Sequence, residues 1–551
     1  MQNKSEPNKS KSLTAVVLEK LFDQTKKIIK NTLSYLTIFS LVFSSALINT
    51  AYADDGDVLL INGATADQTT VIEGGAGGRN LSSNGGNSQL DIQVNGAAVL
   101  DIGNDTDLTI DTIISTDAND DAANTLDLQL NGITLIVEEA IADNANDPLS
   151  VTVTDNESVL RIVASTGAAA NSLKFITTTG TTIELAAGTY SANFDGAGTL
   201  KLLGTVVNDE VIGNATTIGT LDMNSNTLDN GAALIKVGTL TLSGSILGGA
   251  SLQVTGTAAI GANVTTTGDQ LFQDAAIVSV DTILTNTNSD VTFSSTLNSD
   301  ATPRDLTIDT GGNTGTILFS GAVGQTNDFD VITITGNLDL DADIGADDFS
   351  AAGATSIAVS GASNLGKDVT TSGTQTYTGA VTLSGEAINL KGTTIQFGST
   401  VAGGTQNLKV EGIMDLNGAM TNVAILEITG ASDIGAEIST TGTQTYTGAV
   451  TLSGAARTLT ATNNSAVLFS STIDGTQDLT VATGGLTTFD GLVGNTTILG
   501  AIDISGDGGL NLDAAIVKAD GSAGAASLDV NGASNLGANV VTTGAQIYTG
   551  A

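Results

Sequence analysis

The chain of 551 residues has no cysteine, no histidine and no tryptophan, and its only prolines are Pro7, Pro148 and Pro303. Each absence removes a class of chemistry. Without cysteine there is no disulfide scaffold, and without Cys and His there is no Cys/His zinc centre. Without histidine neither a Ser-His-Asp nor a Cys-His nucleophile can be assembled. Basic residues are scarce: 18 Lys and Arg stand against 58 Asp and Glu, for a net charge of -40. Polyanions repel one another, so no nucleic-acid partner is expected. Aromatic residues make up only 3% and charged residues 14%. Glycine is plentiful, at 66 residues, and the chain is long enough to bury a substantial core.

The scarce bases are concentrated at the start. Lys4, Lys9, Lys11, Lys20, Lys26, Lys27 and Lys30 precede an apolar-leaning run from Leu33 to Ile48, which ends at Ala51-Tyr52-Ala53 before Asp54. A basic segment, an apolar segment and an A-x-A site make the pattern of a secretory signal peptide, cleaved between Ala53 and Asp54 with Ala51 as the other small residue of the site. The run falls short of the roughly 20 residues that span a bilayer as a helix. Residues 1–53 are therefore read as a long signal peptide. Their removal leaves 11 bases against 55 acids.

Beyond the signal the chain repeats itself. Gly361-Ala-Ser-Asn-Leu-Gly-Lys-Asp-Val-Thr-Thr-Ser-Gly-Thr-Gln-Thr-Tyr377-Thr-Gly-Ala-Val-Thr-Leu-Ser-Gly385 returns at Gly430–Gly454 and again from Gly532 to Ala551, where the sequence stops inside the motif. A diverged copy runs from Gly256, with Phe272 in place of the tyrosine. A second motif alternates with it, clearest at Val467-Leu-Phe469-Ser-Ser-Thr-Ile473 and Leu479-Thr-Val481. Short runs such as Val381-Thr-Leu383, Leu306-Thr-Ile308 and Leu126-Asp-Leu-Gln-Leu130 alternate apolar and polar residues, as half-buried strands do. Glycine and Asn-Gly bound them as turn formers.

Short strands, regular turns and long-period repeats point to an all-β chain. The preferred architecture is a right-handed parallel β-helix, a β-solenoid, with about 22 residues per coil and ladders of stacked side chains at roughly 4.8 Å per coil. The alternative is a string of tandem β-sandwich repeats. Residues 54–250 repeat less clearly and are read as a β-rich N-terminal region, a solenoid cap and first coils, in which Glu138-Glu139-Ala140 to Asp147 forms a short helix or an acidic loop. Residues 251–551 are the β-strand repeats.

The Gly-Thr-Gln-Thr-Tyr-Thr-Gly-Ala-Val-Thr-Leu-Ser-Gly unit at 373–385 and 442–454, together with Phe469-Ser-Ser-Thr-Ile473, resembles units of large bacterial surface proteins of the filamentous-haemagglutinin and autotransporter-passenger kind. The resemblance covers about 300 residues and implies export from a Gram-negative bacterium, a location at the outer membrane or in the medium, and an adhesin-like role. It also implies a downstream outer-membrane translocator, and a receptor or glycan on a host or neighbouring cell as partner. The Asn-Pro-rich signature of two-partner export is missing.

Candidate sites are few. Gly74-Gly75-Ala76-Gly77-Gly78 is followed by Arg79-Asn80, where a phosphate loop needs Lys-Ser/Thr, and reads as a flexible loop. Paired acids at Asp54-Asp55, Asp120-Asp121, Glu138-Glu139 and Asp347-Asp348 read as solvated loops rather than as the carboxylate pair of a glycosidase. Asp101, Asp105, Asp107, Asp111, Asp117, Asp120 and Asp121 are the densest set of hard oxygen ligands and are weak candidates for calcium, the one cofactor the sequence suggests. Tyr377, Tyr446 and Tyr548 would suit an exposed glycan-binding row, but Phe272 at the equivalent position favours packing. No catalytic residue is assigned and no enzyme is expected. The expected function is surface attachment. The alternatives are an acidic surface-layer protein assembled with divalent cations and, least favoured, a carbohydrate-active β-helix enzyme.

Overall fold

A computed structural model describes residues 59–63, 69–72, 91–102, 108–115, 124–142, 149–163, 166, 173–312 and 314–550, with side chains mainly from Thr125 on. Residues 1–53, read from the sequence as a signal peptide, the Gly74–Gly78 run and the expected cleavage residues Ala51, Ala53 and Asp54 lie outside these residues.

The described chain is a β-solenoid of about 19 turns, and it contains no helix. Each named strand pairs in parallel with a strand of a neighbouring turn, most of them with one turn before and one turn after. Every turn has three faces, here A, B and C in chain order. Ser251–Val254 lies on face A, Ala258–Ile260 on face B and Val264–Thr265 on face C; Gln270–Phe272 then returns to face A over Ser251–Val254. Alternation along each strand separates core from surface. Val381 and Leu383 are buried while Thr382 is exposed, and Leu126, Leu128 and Leu130 are buried between partly exposed neighbours. One contiguous apolar core results, running from Ile113 to Val530.

The turns are not of one length. From Thr182 on they vary between 17 residues (Thr182 to Thr199) and 26 (Leu306 to Ile332). In the repeated motif a turn takes 18 residues, as from Ser432 to Val450, and each face takes six. Corners within the motif are closed by glycine because the backbones meet there. A Cβ on Gly430 would lie 2.1 Å from the Gly412 carbonyl oxygen, and one on Gly448 2.2 Å from that of Gly430.

The N-terminal region continues the same solenoid. Thr134–Ala142 pairs with Leu108–Ser115 and Val159–Ile162, so residues 138–142 belong to a strand and not to a helix or loop, while the rest of the stretch to Asp147 lies outside the described residues. Val137 and Ile141 face the core, and that burial outweighs the acidic composition of the segment.

Large side chains stack inside the coils. Phe272 lies 4.8 Å from Phe293, which lies 5.8 Å from Phe319, all on face A. Tyr377 stacks on Phe397 on face C, and Tyr446, Phe469 and Phe489 form a column on face B. Most of the described aromatic residues thus serve the core, and the stacked rings cover one another at the spacing of successive turns.

Candidate functional site

The most regular polar constellation lies inside the coil. Gln375 is fully buried; its amide donates to the carbonyls of Val369 (2.9 Å) and Lys391 (2.8 Å), and its Oε1 accepts from the Tyr377 hydroxyl at 3.1 Å. Thr371 Oγ1 donates to the Gly373 carbonyl. The second copy repeats this: Gln444 donates to Thr440 Oγ1 (3.1 Å) and the Thr460 carbonyl (2.8 Å) and accepts from Tyr446 at 2.9 Å, while Thr440 donates to the Gly442 carbonyl. In the diverged copy Gln270 donates to Thr266 and to the Thr285 carbonyl, but Phe272 has no hydroxyl, and Gln270 Oε1 is buried without a partner. Strand alternation forces these side chains inward, and each Gln ties one turn to the next.

These tyrosines therefore do not form an exposed row. Tyr377 and Tyr446 are fully buried, and burial pushes both hydroxyls well above the ordinary tyrosine value. The packing role anticipated from Phe272 holds, but the hydroxyl also has a partner, which the sequence did not reveal. The signal was present in the Gln-x-Tyr spacing, whose alternation puts both residues on the inner face. Tyr190 is held differently: its hydroxyl donates to the Ala186 carbonyl at 2.9 Å, and burial raises it to about 12.

The outer surface carries the charge. Its cations are largely engaged with neighbours in the stack. Arg161 and Lys201 sit on either side of Glu184 in successive turns of face B, at 2.7 and 3.2 Å. Lys174 pairs with Asp195 at 2.9 Å, Arg304 with Asp300 at 2.9 Å and Lys409 with Glu411 at 2.6 Å. Arg457 is turned inward and donates to the carbonyls of Ile434 and Ser453. The Arg304 guanidinium holds Asp300 below the usual carboxylate range.

Acids also stack on acids. Asp415 neighbours Asp433, Asp503 neighbours Asp529 and Asp490 lies beside Asp513 across successive turns. Burial first, and then Asp529, raises Asp503; burial and then Asp513 raise Asp490. Asp433 Oδ1 and Asp529 Oδ1 are buried without hydrogen-bond partners. Among the described residues no three His, Cys, Asp or Glu side chains converge as a metal site. Of the calcium candidates, Asp101 and Asp111 fall on the strands Asp91–Ile102 and Leu108–Ser115, with side chains outside the described residues; Asp105, Asp107, Asp117, Asp120 and Asp121 lie outside them altogether. Asp347 and Asp348 are exposed on a loop, where Asp347 Oδ1 accepts from Gln325 and Asp348 Oδ1 from the Ser350 amide. Asp348 closes a local turn there, and Asp347 links to the preceding turn of the solenoid. Glu138 is exposed, and its side chain is not part of a described carboxylate pair.

Comparison of the chain with protein-family models, with curated proteins and with solved structures gives no match.

Proposed function

We propose that this chain is an exported, surface-exposed solenoid that works as a structural and attachment element rather than as a catalyst. The observation that carries the reading is the division of labour across the wall of the coil. Most apolar side chains and the Gln–Thr–Tyr ties point inward, and the outer faces present mainly Thr, Asn, Asp and Ser, with scattered apolar residues such as Leu247, Ile277 and Ile413, along about 19 turns. At roughly 4.8 Å per turn such a stack extends about 90 Å, long enough to offer many weak contacts at once. The N-terminal signal pattern supplies the route of export, and the excess of acid keeps neighbouring molecules apart. The partner is a receptor or glycan on another cell. With most of its described cations engaged by its own carboxylates and carbonyls and acid in large excess, the surface suits a neutral glycan or a basic protein better than a polyanion.

An epitope inserted between Asp347 and Asp348 tests the location. Staining of intact cells, and its loss after brief external proteolysis, is the expected result; an epitope reached only after lysis would overturn surface exposure. Beads coated with the purified chain should adhere to target cells above uncoated controls, and beads that do not would overturn attachment. The register stacking of Asp415 on Asp433 and Asp503 on Asp529 favours a second reading, a matrix protein assembled through divalent cations. Assembly that dissolves in chelator would select it.

A further inference from the structure

The repeated motif does not return to the same face. The copy at Gly361 begins on face A, with Ser363 over Leu338, and places Gln375 and Tyr377 on face C. The copy at Gly430 begins on face C and places Gln444 and Tyr446 on face B. The copy at Gly532 begins on face B and places Gln546 and Tyr548 on face A, as the diverged copy does with Gln270 and Phe272. The copies starting at Gly361 and Gly532 are 171 residues apart. From Ser363 the register on face A runs through Val381, Val401, Met420, Ile438, Leu459, Val481, Ile504 and Val530, which is eight turns; Ser534 then follows on face B. The long repeat is thus eight turns and one face, and each copy is rotated by a third of a turn.

The Gln–Tyr contact survives this rotation, buried in the copies at Gly361 and Gly430 and exposed in the last described turn. Gln375, Gln444 and Gln546 each receive the hydroxyl of the tyrosine two residues on, at 3.1, 2.9 and 3.2 Å, on three different faces. The approach is matched as well: Ala354 bridges Thr371 before one copy as Ala525 bridges Thr542 before the other. The inward positions agree between copies (Thr266, Thr371, Thr440, Thr542), whereas the outward positions vary (Ala259, Asn364, Asp433, Asn535; Leu271, Thr376, Thr445, Ile547), and the outward matches, Asn364 with Asn535 and Thr376 with Thr445, fall on different faces. What repeats is the core, and no outward pattern recurs along one side as a ligand lattice would require.

We infer that the repeats are face-neutral cassettes, and that this region is a spacer whose length changes by whole cassettes without loss of fold. Six residues per face and three equivalent faces let a cassette dock on whichever face the preceding strand presents. The use of that length as reach from a cell surface rests on the function proposed above; the geometry does not.

Excision of residues 361–531 tests it, because Gly532 then follows Ser360 and the last copy must occupy face A, B and C instead of B, C and A. In the full chain Ile547 neighbours Asp529; after excision it should neighbour Ala358, as Thr376 now does. The chain contains no cysteine, so introduced pairs report cleanly. In the excised protein Ala358→Cys with Ile547→Cys should oxidise to a disulfide, since register neighbours lie within the usual Cα separation, while the same pair in the full chain should not. The excised chain should also melt cooperatively, within about 5 °C of the parent. Failure to fold, or a folded product without the cross-link, would overturn the inference. Both readouts use purified protein, so they hold whether or not the protein is displayed on cells.

Discussion

At the scale of single residues, the buried amide of the repeat is the feature with the clearest energetic meaning. A buried polar atom costs little when paired and much more when orphaned. Gln444 is fully paired through Thr440, Thr460 and Tyr446, whereas Gln270 keeps an unpartnered Oε1 beside Phe272. Phe272→Tyr should therefore stabilise the solenoid, by about 1 kcal/mol, and Tyr446→Phe should cost a similar amount. Urea denaturation of the two variants checks both signs. Stabilisation by Tyr446→Phe, or loss of stability in Phe272→Tyr, would mean that ring packing outweighs the hydroxyl contact.

At the scale of the element, the unit is a strand of three or four residues and a tight corner. Gly430 stands where a Cβ would meet the Gly412 carbonyl, which is backbone and cannot swing away. Gly430→Ala should cost about 1–3 kcal/mol, while alanine at the open Gly521 should be tolerated far better for space, its positive φ being the remaining strain. Denaturant midpoints of the pair measure the difference. The stacked acids give a pH prediction. Asp503 has a raised value in the folded chain through burial and Asp529. Between the ordinary carboxylate range and that raised value the folded state holds more protons than the unfolded one, so this site's contribution to stability falls as pH rises through the window. Asp503→Asn should therefore melt above wild type at pH 7 and converge with it below about pH 4. A constant offset at every pH would show that the carboxylate stack is not the cause.

At the scale of the whole molecule, electrostatics is governed by a net charge of -40. Salt screens such repulsion over roughly 10 Å at 0.1 M, so the melting temperature should rise with sodium chloride. Diffuse screening and specific calcium sites separate by titration: calcium chloride should stabilise no more than sodium chloride at equal ionic strength. A saturable extra gain at submillimolar calcium would assign specific sites, with Asp101 to Asp121 the first region to mutate.

Much of this architecture was legible in the sequence. Alternation at Val381-Thr-Leu383 and Leu126-Asp-Leu-Gln-Leu130 determined strands and their inner faces, because side-chain direction along a strand has a period of two whatever the surroundings. Repetition with few aromatic residues favoured a solenoid over tandem β-sandwiches, because stacked turns of similar sequence bury equivalent positions. Only the tertiary structure decided which strands share a face, that Glu138 lies in a strand, that Gln270 lacks the partner Gln375 has, and that the motif precesses by one face per long repeat. Those facts depend on the number of residues each corner consumes. Corner length varies from turn to turn, no local pattern encodes its running sum, and register between turns is settled only when the core closes around it.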